Sequence, residues 1–242
     1  MMILDKSSEN MAEKTVGIIG GLGPETTSEF YLEIIFAFRK LNKIGYPHIL
    51  INSISYPFSV EQKAITKGNG EEDFLLPYLL DAAKSLEKAG ANFLVLPCNS
   101  LHKFIEDIRN TVKIPVLSIL EETSIFLKKQ KINKVGIIAT PITIQNKLYE
   151  KILKKNKIKQ IIPDSFQQVQ IGKLIHKIVS NRYNNQDREV LIKIIKDFSK
   201  GKIKHVILAC TDLQLLMPQN SGIEICDTMK ILVDATVRNI IK

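Results

Sequence analysis

The sequence predicts an α/β protein of two pseudo-symmetric lobes, each a mostly parallel sheet flanked by helices, with the functional site in the cleft between them. Three observations carry this. Short apolar runs alternate with amphipathic segments along nearly the whole chain, the pattern of parallel sheets with covering helices. A series of strand, helix, strand, helix, strand opens at Thr15-Val16-Gly17-Ile18-Ile19 and again at Lys134-Val135-Gly136-Ile137-Ile138. At closely similar separations, each copy then closes on an apolar run ending in cysteine, Leu94-Val95-Leu96-Pro97-Cys98 and Val206-Ile207-Leu208-Ala209-Cys210. Two echoes in one order point to an internal duplication.

The elements follow in order. The strand at Thr15–Ile19 ends in Gly20-Gly21-Leu22-Gly23-Pro24, a turn for which glycine supplies close backbone approach and Pro24 a helix start. A helix then runs to about Lys40, with Phe30, Ile34, Ala37, Phe38 and Leu41 on one face. His48–Ile54 is a strand, and the loop through Tyr56-Pro57 to Lys67-Gly68-Asn69-Gly70 is long enough to cover a substrate. Phe74–Ala89 is a helix closed by Gly90, Asn92–Leu96 a strand, Ser100–Val112 a helix, Pro115–Leu120 a strand and Glu121–Lys129 a helix. In the second copy, strands are expected at Lys134–Thr140, Gln160–Ile162 and the run to Cys210. Helices are expected at Gln145–Lys155, Val169–Val179, Arg188–Lys200 and Leu213–Met217. Ile223–Asp227 reads as a last strand and Met229–Ile241 as a closing helix. The expected division is a first lobe over 1–115 with a loose tail at 1–13, a second lobe over 116–222, and a closing segment, 223–242, packed back on the first lobe.

Composition narrows the function. With 45% hydrophobic and 24% charged residues the chain carries a substantial core. No apolar run approaches the roughly 20 residues of a membrane span, so no membrane partner is expected. The start, Met1 to Lys14, has neither the basic opening nor the apolar stretch of a secretory signal, and a cytoplasmic protein is expected. The net charge of +9 raises a nucleic-acid reading, but only five of the 34 basic residues are arginine, the residue suited to base readout. A lysine-rich solvated surface is the plainer reading. Three cysteines, Cys98, Cys210 and Cys226, form neither a disulfide framework nor a zinc spacing, and His48, His102, His176 and His205 are scattered. No metal is expected.

Chemistry is expected where strands end, because open α/β sheets bind ligands at the carboxyl ends of their strands. Cys98 and Cys210 occupy matching strand tips, each followed by an expected helix N-terminus that favours a thiolate. One thiol from each copy would then flank a substrate. Cys226, inside a strand and without a counterpart, reads as structural. His102 lies four residues after Cys98 and is placed to support it, although a capping or surface role explains it as well. Asn99, Ser100, Thr140, Thr143 and Thr211 are small donors just past strand tips, suited to a carboxylate or to ordinary N-capping. Asp212 is suited to an ammonium group or to the helix dipole.

Taken together, Gly20-Gly21-Leu22-Gly23-Pro24, Pro97-Cys98-Asn99-Ser100-Leu101-His102, Glu121-Glu122-Thr123, Ala139-Thr140-Pro141-Ile142-Thr143 and Ala209-Cys210-Thr211-Asp212 resemble the successive motifs of the aspartate/glutamate racemases, the aspartate racemase branch in particular. The resemblance runs in order from about Thr15. The usual family forms carry Met at Leu22, Thr at Ser100, Ala at Leu101 and Glu at Asp212. It implies an isomerase that needs no cofactor, pyridoxal phosphate included, and forms a homodimer. One cysteine as thiolate would remove the Cα proton of an amino acid, and the other as thiol would return a proton to the opposite face. It also implies that Asn99, Ser100, Thr140, Thr143 and Thr211 bind the substrate's carboxylate and amino groups, with Asn52 and the Gly23 turn on the other wall. Aspartate racemases commonly carry an Arg after the second strand and a Lys on a second-lobe helix. Gln62 and Val179 stand there, with Lys63 and Lys177 close by. Aspartate and glutamate therefore lead as substrates, with a non-dicarboxylic amino acid as the alternative. Another isomerase or a decarboxylase of the same superfamily, such as a hydantoin racemase, a maleate isomerase or an arylmalonate decarboxylase type, is a rival enzyme. A catalytically inactive amino-acid-binding homologue is the rival from another class.

Overall fold

The computed structural model describes residues 14–41, 45–57, 59–60, 70–216 and 222–242. The first sheet holds β1 (Val16–Gly20), β2 (Ile49–Ser53), β3 (Phe93–Val95) and β4 (Val116–Leu117), in the order β2-β1-β3-β4. The second holds β5 (Lys134–Ala139), β6 (Lys159–Ile161), β7 (His205–Ala209) and β8 (Glu224–Asp227), in the order β6-β5-β7-β8. Every pairing is parallel. Identical strand orders are what a duplicated unit gives, and they set β3 and β7, the strands leading to the two cysteines, at equivalent places beside the central strand.

The helices are α1 (Pro24–Leu41), α2 (Leu76–Lys88), α3 (Ile105–Thr111), α4 (Ile119–Lys129), α5 (Pro141–Gln145), α6 (Leu148–Lys155), α7 (Ser165–Val179), α8 (Asn185–Lys200) and α9 (Thr228–Ile240), counted among the described residues. Their apolar stripes build three clusters. One lies on the outer face of the first sheet, around Ile19, Leu79, Leu94 and Ile108, and one on the outer face of the second, around Ile138, Ile175, Ile195 and Leu208. The third is shared: Ile18, Phe30, Ile34 and Val95 of the first lobe join Ile137, Leu153 and Ile207 of the second and Leu232 of α9. A common core of this kind makes the lobes one packed body.

Sequence and structure part company in four places. Val116–Leu117 pairs with β3 and so closes the first sheet, whereas the expected second lobe began at 116. That strand is only two residues long, because Ser118 caps α4 by accepting from the Glu121 N–H. The closing segment is divided: Glu224–Asp227 pairs with β7 in the second sheet, and only α9 crosses to pack against α1 and α4. The helix expected over Gln145–Lys155 breaks, because Lys147 takes a left-handed conformation (φ 51°) between α5 and α6. Finally, both cysteines lead into 3₁₀ turns, Ser100–Phe104 and Thr211–Leu216, in place of regular helices.

Candidate active site

The two cysteines meet at one cavity. Cys98, partly exposed, and Cys210, 6% exposed, both line a space of about 50 Å³ together with Leu22, Tyr56, Leu75, Ser100, Thr140, Ile142, Ile175 and Asp212. A charge on Cys98 is also among the influences that raise the Cys210 pKa, so the sulfurs are within electrostatic reach of each other. Larger depressions exist elsewhere, one of about 300 Å³ beside Lys134 and Phe198 and one of about 620 Å³ between Pro141 and His176. Neither contains a cysteine, so size does not mark the chemistry here.

The hydroxyls of Ser100 and Thr140 lie in the cavity wall, and Thr143, outside that wall, is bonded to both. Ser100 Oγ lies 2.7 Å from Thr140 Oγ1 and 3.3 Å from Thr143 Oγ1, and the two threonine hydroxyls are 3.1 Å apart. Ser100 comes from the first lobe and the threonines from the second, so the cluster spans the cleft. Thr140 also caps α5 through the Thr143 N–H. Opposite, the glycine turn brings Thr26 to Asp212: its hydroxyl donates to Oδ1 at 2.6 Å. That turn requires glycine at position 21, where φ is +86° and a Cβ would sit 2.5 Å from the Ile54 nitrogen. Gly23 approaches the same carboxylate, since a Cβ there would lie 3.3 Å from Asp212 Oδ1.

The resting protonation of Cys210 departs from the sequence expectation of a helix-stabilised thiolate. Burial pushes its pKa well up, and the Asp212 carboxylate beside it pushes further. Its Sγ donates to Asp212 Oδ2 at 3.5 Å, the arrangement of a neutral thiol. A 3₁₀ turn offers too little aligned dipole to reverse that. Burial also raises the Asp212 pKa, opposed by the Thr26 hydroxyl bond.

His102 is near Cys98 but is not free to exchange protons with it. Its Nε2 accepts from the Ile119 N–H at 3.0 Å, which leaves the proton on Nδ1, and Nδ1 donates to the Cys98 carbonyl at 2.7 Å. It is a buried tie between the Cys98 turn and the start of α4. Desolvation pushes its pKa down to about 4, with the Arg109 guanidinium adding to that and the Cys98 carbonyl opposing it.

The remaining expected residues sort as follows. Thr211 lines the cavity with its hydroxyl turned to the Pro97 carbonyl at 3.3 Å. Asn99 also lines the cavity, is 1% exposed, and has its side-chain amide bonded to Tyr149 and Thr228. Asn52 sits at the end of β2 opposite Ile19 and is absent from the cavity wall. Gln62 and Lys63 lie outside the described residues. Lys177 is held by Asp187 at 2.6 Å and faces the large depression. Sequence reasoning missed Tyr56, Leu75, Ile142 and Ile175 as wall residues, because apolar side chains of two lobes carry no local mark of facing a cleft. It also missed Tyr149 and Thr228. Among the described residues no group of three or more His, Cys, Asp or Glu side chains is placed to hold a metal, and no helix is long and apolar enough to cross a membrane.

Two parallel-sheet α/β lobes of matching strand order, each bringing one cysteine to a shared cavity, define a two-lobed α/β protein with its site in the cleft. The comparisons agree with that class. Residues 19–236 match the Asp/Glu/Hydantoin racemase family, and the chain belongs to it, an isomerase of the racemase class. It is 32% identical over 229 residues to the broad specificity amino-acid racemase RacX of Bacillus subtilis strain 168, covering 92% of this chain and 96% of that one. The structure of an aspartate racemase homologue from Pyrococcus horikoshii OT3 superposes with a TM-score of 0.78 at 26% identity, covering 95% of this chain and all of the other (100%). The aspartate racemase of Picrophilus torridus shares the fold, with a TM-score of 0.78 at 24% identity over 94% of each chain.

Proposed function

We propose that this isomerase racemises a free amino acid by two-base chemistry, without pyridoxal phosphate, with Cys98 and Cys210 as the acid–base pair. The single observation that carries the reading is that both cysteines line one cavity. In one direction the Cys98 thiolate takes the Cα proton and becomes a thiol. The electron pair left on carbon takes a proton from the Cys210 thiol at the opposite face, leaving a Cys210 thiolate. The reverse reaction exchanges the roles. The thiol form of Cys210 at rest supports Cys98 as the base of the free enzyme. The hydroxyls of Ser100 and Thr140 in the cavity wall, with Thr143 bonded to both, receive the substrate carboxylate and stabilise charge that builds on it as the proton leaves, and Thr211 borders the same space. Asp212 takes the ammonium group.

Aspartate and glutamate lead as substrates through the family. A specific observation favours a second reading, an amino acid with an uncharged side chain: Leu22, Leu75, Ile142 and Ile175 make the rest of the wall apolar. Chiral chromatography of each proteinogenic amino acid, incubated with enzyme and no added cofactor, tests both. Inversion of at least one is the expected result, and no inversion of any contradicts the proposal. The protein is proposed to be a homodimer in the cytoplasm. Exposed Leu32 and Phe36, one turn apart on α1, support self-association. A solution mass of twice the chain is expected, and a mass of one chain contradicts it.

A further inference from the structure

Asn99 lines the cavity, and its side-chain amide is bonded to Tyr149 and Thr228, bonds that link the two thiol-bearing segments. The Tyr149 hydroxyl donates to Asn99 Oδ1 at 2.6 Å, Asn99 Nδ2 donates to Thr228 Oγ1 at 3.0 Å, and the Thr228 hydroxyl donates to the Leu208 carbonyl at 2.9 Å. Asn99 directly follows Cys98, and Leu208 lies on β7 two residues before Cys210. Tyr149 anchors the chain on α6 of the second lobe, and Thr228 opens α9, the helix that returns to the first. A separate bond runs the other way: the Thr211 hydroxyl, next to Cys210, donates to the carbonyl of Pro97, next to Cys98.

We propose that this buried chain fixes the separation of the two sulfurs, making Asn99, Thr228 and Tyr149 positioning residues of the racemase. The inference rests on the two-thiol reading. Three physical points support it. Both cysteines sit where regular structure stops, between the end of a strand and the start of a 3₁₀ turn, so neither a strand ladder nor a helix holds them. Asn99, Tyr149 and Thr228 are 1%, 2% and 0% exposed, and each hydroxyl has its single proton engaged, so breaking any link strands a buried polar group. Inversion, moreover, needs base and acid on opposite sides of one carbon at once, and a displacement of about 1 Å costs about a hundredfold in rate. The Ser100–Thr140 hydroxyl pair differs, because it lies in the cavity wall, where a substrate carboxylate can replace its mutual bond.

The test removes single oxygens from the two ends of the chain, Tyr149→Phe and Thr228→Val, with Thr228→Ser as the variant that keeps the hydroxyl. Each protein starts from one enantiomer in deuterated water, and label is measured in recovered substrate and in inverted product. A loosened gap lets a carbanion be reprotonated from the side it left, so label enters unreacted substrate. Expected for Tyr149→Phe and Thr228→Val are a substrate-to-product label ratio raised about tenfold and a kcat lowered about ten- to a hundredfold, with KM within about twofold of wild type. Thr228→Ser restores both. A wild-type label ratio and kcat in the two variants overturns the proposal, as does a raised KM with unchanged kcat, which would make Asn99 a substrate ligand. Should Thr228→Val fail to fold, Tyr149→Phe decides alone, since it keeps the ring. A wild-type protein that inverts no amino acid defeats the two-thiol reading instead.

Discussion

Cys98→Ala and Cys210→Ala each lower racemisation by at least about 10² to 10⁴-fold, the range that a single acid–base group contributes. The loss appears in both directions for both variants, because in the proposed two-base reaction each sulfur serves as base one way and acid the other. Neither variant unfolds. Cys98 only borders the first-lobe cluster, and Cys210, although inside the second, gives up one small sulfur, so the cost is about 1 kcal/mol. Cys226→Ala is the matched control. It sits on β8 opposite Ile207, and burial pushes its pKa up to about 12, so it is an inert thiol in the shared core. Its loss leaves turnover intact. Chiral chromatography with circular dichroism on all three separates chemistry from folding, and full turnover in either of the first two refutes the assignment.

The second large effect is on stability and comes from His102. Its pKa falls from 6.5 in the unfolded chain to about 4 in the fold, because burial strips the charged ring of water, and the neutral ring is the form whose Nε2 accepts from Ile119. Folded-state pKa below unfolded-state pKa means that the unfolded chain binds the proton first. The His102 contribution is therefore complete above pH 6.5 and is lost as pH falls towards 4, by on the order of 3 kcal/mol. Urea midpoints at pH 7 and pH 4.5 check this against His102→Gln, which has no ring to titrate. The variant is less stable at pH 7 but loses less on acidification than the wild type. Equal acid sensitivity in the two proteins contradicts the account. Glu121, whose pKa the Arg109 guanidinium holds down, titrates in both and cancels in the comparison.

Much of the architecture is legible in the chain because its signals are local. The Val-Gly-Ile-Ile echo and the two apolar runs ending in cysteine marked equivalent strands, and the matching sheet orders follow from that duplication. The lobe boundary was not legible, because β4 is too short to show a pattern and Ser118 turns the chain into α4 at once. A left-handed Lys147 leaves no sequence mark, so the break between α5 and α6 could not be read. At the site, residue types were readable but directions were not. Asn99 reads as a ligand because it follows a strand tip, and it does line the cavity; the partners of its amide, Tyr149 and Thr228, are far along the chain and meet it only once the lobes pack. The protonation of Cys210 is likewise set by burial beside Asp212, a property of the assembled cleft.

The claim that the two sulfurs face opposite sides of one carbon is tested most directly by the course of label incorporation in the wild-type enzyme. With one pure enantiomer in deuterated water, early samples are resolved chirally and each fraction is weighed by mass spectrometry. Two opposed thiols predict deuterium in the inverted product while the remaining substrate is still unlabelled, whichever enantiomer is supplied. Equal label in both fractions from the first time points would mean that a single group handles both faces, and would contradict the account.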